Sequence, residues 1–163
     1  MKIATTFIVV FVGMLSYTTN AQETIWFDAN WQETSQDKAE YYRPVPKKIK
    51  EGFWIVDYYN NGQIQMEGYS TVNKPGEEEF EGLVVYYHAN GNFFHKANYK
   101  NGKLHGVRMV YYETGNLKEQ GNYVEGKRQG NWKTFYENGK IKEKGKYQNS
   151  EKVGVWKTFY KNL

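Results

Sequence analysis

The chain has 163 residues, of which 18% are aromatic, and it contains 16 glycines, 3 prolines and no cysteine. The absence of cysteine excludes disulfide bonds, a thiol nucleophile and a thiolate metal site. The formal net charge of +4 is unevenly distributed: residues 22–99 carry 7 basic and 12 acidic side chains (net −5), whereas residues 100–163 carry 14 and 6 (net +8). A basic half attracts anionic surfaces, although lysines are also common on solvent-facing turns and guard strand edges against aggregation.

Residues 1–21 have the layout of a secretory signal peptide. Lys2 supplies a basic start, an apolar run follows from Phe7 to Leu15, and Thr19-Asn20-Ala21 offers a small-residue cleavage site. The alternative is a membrane anchor, for which this apolar run is too short. We therefore expect export to the periplasm or the cell surface, with cleavage before Gln22.

Residues 22–49 form a leader that is rich in aromatic residues. We expect it to cap the first edge of the domain that follows, because terminal units of repeat proteins need such a cap. Pro44 and Pro46 restrict the chain to extended conformations and mark a connector. The aromatic candidates for the cap are Trp26, Phe27, Trp31, Tyr41 and Tyr42.

A 24-residue repeat fills residues 50–163. Gly82, Gly106, Gly130 and Gly154 mark its register at equal intervals. An earlier unit begins at Gly52 and is lengthened by an acidic insert, residues 72–79, which is typical of a solvated loop. The sequence thus predicts four full units, beginning at residues 52, 82, 106 and 130, and a half unit from residue 154.

Each unit has the pattern of a β-hairpin. Asn-Gly and Thr-Gly pairs between strand-like segments are strong signals for tight turns. A second turn, such as Asn101-Gly102 or Glu125-Gly126, leads into the next hairpin, and connections this short join antiparallel neighbours. The predicted fold is all-β: a single-layer, curved antiparallel meander of tandem hairpins, with about nine strands in the repeats.

Aromatic residues fall on both faces of the predicted strands. Trp132 and Tyr136 share one face of a strand, and Phe135 lies on the other. The recurrent Gly121 and Gly145 leave room for a neighbouring ring to lie over bare backbone. Because a single-layer sheet has no second layer to form a core, we expect many of these rings to be structural.

The motif Gly-x-Trp-x-x-Phe-Tyr-x-Asn-Gly-x-Ile-x-x-x-Gly-x-Tyr over residues 130–147 resembles the MORN-repeat variant of bacterial proteins in the YwqK-type antitoxin family. The resemblance covers roughly residues 52–163. The leader resembles that of exported members from Bacteroidetes-type bacteria. The resemblance implies a curved antiparallel sheet without a catalytic constellation, and a role in scaffolding, phospholipid contact or neutralisation of a toxin. Export fits poorly with the last of these roles.

Candidate chemical sites are explained by the repeat. His88, His95 and His105 occupy variable repeat positions and lack the usual zinc-ligand spacing. Residues 121–128 approach a phosphate-binding loop but lack its Ser/Thr and do not open a helix. The acids at 77–79 and 81 lack the glycine-bracketed pattern of a calcium loop. We therefore expect no catalytic residues, metal, cofactor, nucleotide or nucleic-acid partner.

These observations favour a non-enzymatic, exported module that binds or scaffolds another protein in the cell envelope. The alternatives are binding of anionic lipid or polysaccharide through the basic half, antitoxin-like neutralisation of a protein, and a cell-wall hydrolase, for which no carboxylate pair is evident. A partner could add to an exposed strand edge at residues 155–160 or dock on an aromatic face. The candidate partner-binding residues are Trp132, Tyr136, Trp156 and Tyr160.

Overall fold

The computed structural model describes residues 23–160, and the expected signal peptide lies outside them. The described chain is nearly all β-structure, with one 3-10 turn over Gln36–Lys38. The strands are β1 Ile25–Phe27, β2 Tyr41–Arg43, β3 Lys47–Ile49, β4 Gly52–Tyr59, β5 Ile64–Ser70, β6 Phe80–Tyr87, β7 Phe93–Lys100, β8 Lys103–Tyr111, β9 Leu117–Val124, β10 Lys127–Phe135, β11 Ile141–Gln148 and β12 Glu151–Thr158.

All twelve strands belong to one open antiparallel sheet. From β4 to β12 each strand pairs with the next along the chain, which confirms the predicted meander of tandem hairpins. In the leader, β1 pairs with β2, and β2 and β3 lie along the same edge of β4. Pro44 and Pro46 separate β2 from β3, because proline has no N–H to donate to a strand ladder.

The turns between hairpins have the left-handed backbone that the sequence predicts. At Asn101-Gly102 and Glu125-Gly126 both residues have positive φ, as a two-residue β-hairpin loop of the I′ type requires. The amide of the second turn residue also donates to the carbonyl of an earlier unit, as from Gly126 to Leu104 at 2.8 Å. The turns therefore stack on one another along the sheet.

The repeat-marking glycines at 82, 106, 130 and 154 lie inside their strands, two or three positions after each strand begins. Strand β10 starts at Lys127, and Gly130 lies inside it with φ of 73°. The pairing of β10 with β9 shifts between Gln129 and Lys133. Gly130 therefore marks a β-bulge, where a left-handed residue is needed inside a strand.

One side of the sheet, the core face, holds the best-buried side chains. In the first units Ile55, Met66, Phe80 and Val84 form an aliphatic and aromatic cluster. In the later units glycines face large rings, and a Cβ atom at Gly121 would overlap the indole of Trp132. Tyr123, Trp132, Tyr147 and Trp156 follow one another in edge-to-face contacts, with ring centroids 5.0 to 5.4 Å apart.

A second repeated contact ties each hairpin turn to the next unit. The Tyr112 hydroxyl donates to the Phe135 carbonyl, and the Tyr136 hydroxyl donates to the Phe159 carbonyl, both at 2.8 Å. The Nε2 atom of His88, at the equivalent position, lies 3.3 Å from the Tyr111 carbonyl. We call these contacts the turn tethers.

The sequence predicts that the acidic insert, residues 72–79, is a solvated loop. In the structure it is only partly solvated. Its Glu78 carboxylate lies 2.6 Å from the Arg43 guanidinium, which also forms a bidentate pair with Asp57 at 2.6 and 2.8 Å. Asp57 is only 1% exposed. The insert folds back on the core face because burying these charges together satisfies them, whereas one of them left alone would be costly.

Candidate ligand-binding face

The side of the sheet opposite the core face is organised by one continuous row of cross-strand neighbours. Strand register places one residue from each strand, β4 to β12, directly opposite its neighbour. In order across the sheet the row reads Val56, Glu67, Val85, Lys96, Met109, Gln120, Lys133, Lys144 and Lys157.

The row ends in three lysines on adjacent strands, which we call the lysine row. Lys133 is paired with Lys144, and Lys144 is paired with Lys157. Neighbouring strands lie about 4.8 Å apart, so like charges in these positions repel one another and destabilise the sheet. Within residues 23–160, none of the three has a carboxylate within 4.0 Å.

A groove of about 640 Å³ surrounds the lysine row. Lys146 adds a fourth ammonium group, two positions along β11 from Lys144. The lining of the groove contains no Asp or Glu. It does contain three carboxamides, which can donate or accept hydrogen bonds, on Gln120, Asn122 and Asn131. Its apolar side chains include Val107, Val153 and Val155. We call this cavity the lysine groove.

The same face has a different character near the leader. There the row carries Val56, Glu67 and Val85, and Leu83 beside it is 49% exposed. Lys96, the first cation of the row, lies 3.2 Å from the centroid of the Phe93 ring and is engaged by it. Among the described residues of this row, lysines on adjacent strands therefore occur only in the last two units.

The structure separates the four predicted partner-binding residues. Trp132 is 2% exposed and packs in the aromatic ladder of the core face, and Trp156 covers Gly145 there. Tyr136 forms a turn tether to Phe159. Tyr160 is 86% exposed. These rings do not converge on one surface. Of the four residues only Trp132 also lines the lysine groove, whose lysines lie on the other side of the sheet.

The histidines are dispersed along the sheet. His95 stacks on Tyr86 with ring centroids 4.2 Å apart, and its Nδ1 has no hydrogen-bond partner in the described part of the chain. Burial and the nearby Arg108 guanidinium lower the pKa of His95 to about 4, so the ring is neutral at physiological pH. Across residues 23–160, no group of three or more His, Asp or Glu side chains is placed to hold a metal ion.

The sequence alone did not predict the lysine row, although two of its three lysines recur at the repeat spacing. Lys133 and Lys157 stand one full repeat apart, at the same position of successive units. Placing Lys144 between them requires the exact pairing of β10 with β11, which depends on a register shift between Thr134 and Phe135. A bulge moves every later residue relative to its neighbour, and composition alone does not reveal that movement.

Residues 80–101, 104–125 and 128–149 each match the MORN repeat variant. The three matches coincide with the hairpins β6–β7, β8–β9 and β10–β11, so this part of the chain is similar to tandem MORN repeats. No curated protein was found to match the chain. Over residues 23–160 there is no helix of the length and apolarity needed to cross a membrane.

Proposed function

We propose that this MORN-repeat protein is a non-catalytic binding module that holds an acidic segment of a partner protein in the lysine groove. The observation that carries the proposal is the lysine row, in which Lys133, Lys144 and Lys157 stand opposite one another without carboxylate partners among the described residues. A bound carboxylate would relieve their mutual repulsion. Binding and stability are thereby linked, because a ligand of the folded state stabilises it.

The shape and lining of the groove support a peptide-like ligand over a flat surface. A bilayer would touch the rim of a groove more readily than its floor. Val107, Val153 and Val155 contribute apolar surface beside the charges, which suits a segment that alternates acidic and apolar residues. A uniformly charged polysaccharide would leave this apolar surface without a complementary group.

The proposal is tested with a labelled peptide of alternating Glu and Val residues, titrated by calorimetry at low and at physiological salt. Replacing Lys133, Lys144 and Lys157 together by Gln removes three charges from the groove. We expect affinity to fall at least about tenfold, because each lost charge-assisted contact is worth roughly 1 kcal/mol or more. We also expect wild-type affinity to fall as salt rises.

The matched control replaces three exposed lysines at strand ends outside the groove, Lys100, Lys103 and Lys127, by Gln. It makes the same change in net charge and should leave affinity within about twofold, apart from long-range screening effects. Equal losses in both triple variants would show that net charge acts, and not the groove. Absence of binding by the wild-type protein would reject the proposal.

The same variants distinguish the alternatives. Tighter binding of anionic vesicles or of an anionic polysaccharide, lost in the groove variant, would replace the protein partner by that ligand and keep the site. Antitoxin-like neutralisation would be one form of acidic-partner binding.

The apolar segment ahead of residue 22 supports a further proposal, that the module works outside the cytoplasm. Cell fractionation with N-terminal sequencing would test it.

A further inference from the structure

A second cavity lies at the opposite end and on the opposite side of the sheet from the lysine groove. It has a volume of about 830 Å³ and lies over the core face of β5 and β6. The leader supplies one wall, the acidic insert another, and the sheet the floor. Its lining includes the aromatic residues Phe27, Trp31, Phe80 and Tyr86, together with Glu33 and Glu78. We call it the leader pocket.

The leader holds Trp31 and Glu33 at the rim of this pocket. Glu33 forms a bridge with Phe27, and Trp31 between them has a φ of 60°, in the left-handed region that is strained for a bulky side chain. The Trp31 indole stacks on Tyr41 at 4.5 Å, and the Asp28 carboxylate accepts hydrogen bonds from the backbone of this turn. The indole is therefore fixed in an otherwise unfavourable position while remaining 39% exposed.

The charge around the leader pocket is negative. Arg43 is its one described cation, and its guanidinium is already engaged by Asp57 and Glu78. Two carboxylates thus contact this guanidinium, and a third, that of Glu33, has no cation within 4.0 Å among residues 23–160. The Oε1 atom of Gln65, a residue that lines the pocket, has no hydrogen-bond partner in the same region.

We propose that the leader pocket binds a lysine side chain from the surface of a protein partner. Aromatic faces attract ammonium groups, and carboxylates and an amide oxygen accept their N–H donors. An ethanolamine headgroup carries the same ammonium, but its phosphate would meet the acidic surround unfavourably. The pocket is larger than one lysine side chain and accommodates the neighbouring residues of a peptide. This site does not depend on the lysine groove, from which it differs in face, position and sign of charge.

The experiment titrates Nα-acetyl-lysine amide into the protein comprising residues 22–163, followed by NMR signals of the Trp31 indole and the Glu33 amide. Norleucine amide, acetylated in the same way, is the neutral counterpart. We expect saturable shifts with the lysine compound and at least about tenfold weaker binding of the norleucine compound. Equal binding of the two would overturn the proposal, as would the absence of saturable shifts.

Two variants place the binding in the leader pocket. Glu33→Gln should weaken binding of the lysine compound about fivefold, and Trp31→Ala about tenfold. Glu51→Gln, an exposed acid on a turn outside the pocket, is the matched control and should change nothing. Unchanged affinity in Glu33→Gln, with its fold verified by the same spectra, would contradict the assignment. Phosphoethanolamine forms the last arm: binding tighter than that of the lysine compound would overturn the protein source.

Discussion

The two ends of this sheet are built on one repeat but stabilised in different ways. The first units bury an aliphatic cluster around Ile55 and Val84 and close it with the buried charges of Arg43 and Asp57. Within the described chain the last units have no such cluster, and they rely on rings stacked edge to face, with Trp132 over Gly121. On the opposite face, the first units present apolar and acidic residues and the last present the lysine row.

This difference shows that the repeat determines positions and leaves their occupants free. Val84, Arg108, Trp132 and Trp156 stand at the same place in successive units, yet they are an aliphatic side chain, a cation and two indoles. Each strand touches only its neighbours in a meander, so one unit can change its chemistry without disturbing a distant unit. Function can therefore be concentrated at either end.

The largest expected effect comes from breaking the buried ion pairs of Arg43 in the first units. Arg43→Met leaves Asp57 and Glu78 without their cation, and removing one partner of a buried pair costs about 3–5 kcal/mol of unfolding free energy. Chemical denaturation measures this loss. Arg108→Met is the control in the later units, where Arg108 and Glu119 are partly exposed and the cost should be about 1 kcal/mol or less. Similar losses in the two variants would contradict the contrast between the ends.

Acid should weaken the sheet at His95, in the repeat position that Glu119 and Glu143 fill in the later units. The folded chain keeps this ring neutral down to about pH 4, whereas the unfolded chain protonates it near 6.5. Stability should therefore fall as pH drops through this window, by roughly 2–3 kcal/mol. Denaturation of wild type and His95→Phe at pH 7 and pH 4 measures the difference. Parallel losses in both proteins would rule His95 out as the cause.

The aromatic ladder of the last units is probed at Gly121. In Gly121→Ala the new methyl group overlaps the Trp132 ring, and overpacking of this kind costs about 1–3 kcal/mol. Ala97 and Arg108 are paired at the equivalent positions of an earlier unit. In a Trp132→Arg background, Gly121→Ala therefore copies this pair and should change the free energy of unfolding very little. A double-mutant cycle by thermal or chemical unfolding gives the coupling. Full additivity would show that the ring and the glycine are independent.

The smallest expected effect is a gain in stability. Lys144→Thr removes the central charge of the lysine row and should stabilise the unliganded protein by about 0.5 kcal/mol at low salt. The gain should shrink at high salt because screening weakens the repulsion. Lys127→Thr, at an exposed strand end opposite Val124, serves as the reference. A loss of stability in Lys144→Thr would mean that the lysine row is not under electrostatic strain.

The sequence predicts the sheet better than it predicts the sites. Tight turns such as Asn101-Gly102 have a local cause, positive φ, and they fix the order of the strands. The role of Gly121 beneath a ring follows from the same spacing. The buried ion pairs of Arg43 with Asp57 and Glu78 do not follow from the spacing. Arg43 and Glu78 lie 35 positions apart and meet only after the insert folds back.

The proposed binding surfaces were harder to predict for the same reason. The lysine groove depends on register after a bulge, and the leader pocket depends on two loops that meet over the core face. On the sequence alone, aromatic residues such as Trp132 are the favoured candidates, because large rings are typical interface anchors. In a single-layer sheet those rings are needed for packing, and the lysines of the proposed site lie on the opposite face.

The turn tethers also give the sheet a mechanical character. Each tether joins a turn to the next unit, as from Tyr136 to Phe159, so adjacent hairpins are fastened at their tips as well as along their strands. When the two ends of a meander are pulled apart, strands separate in sequence and not all at once. Under tension the molecule should therefore lengthen in discrete steps, each releasing one 24-residue hairpin of roughly 80 Å. A partner held at each end would experience this chain as an extensible link.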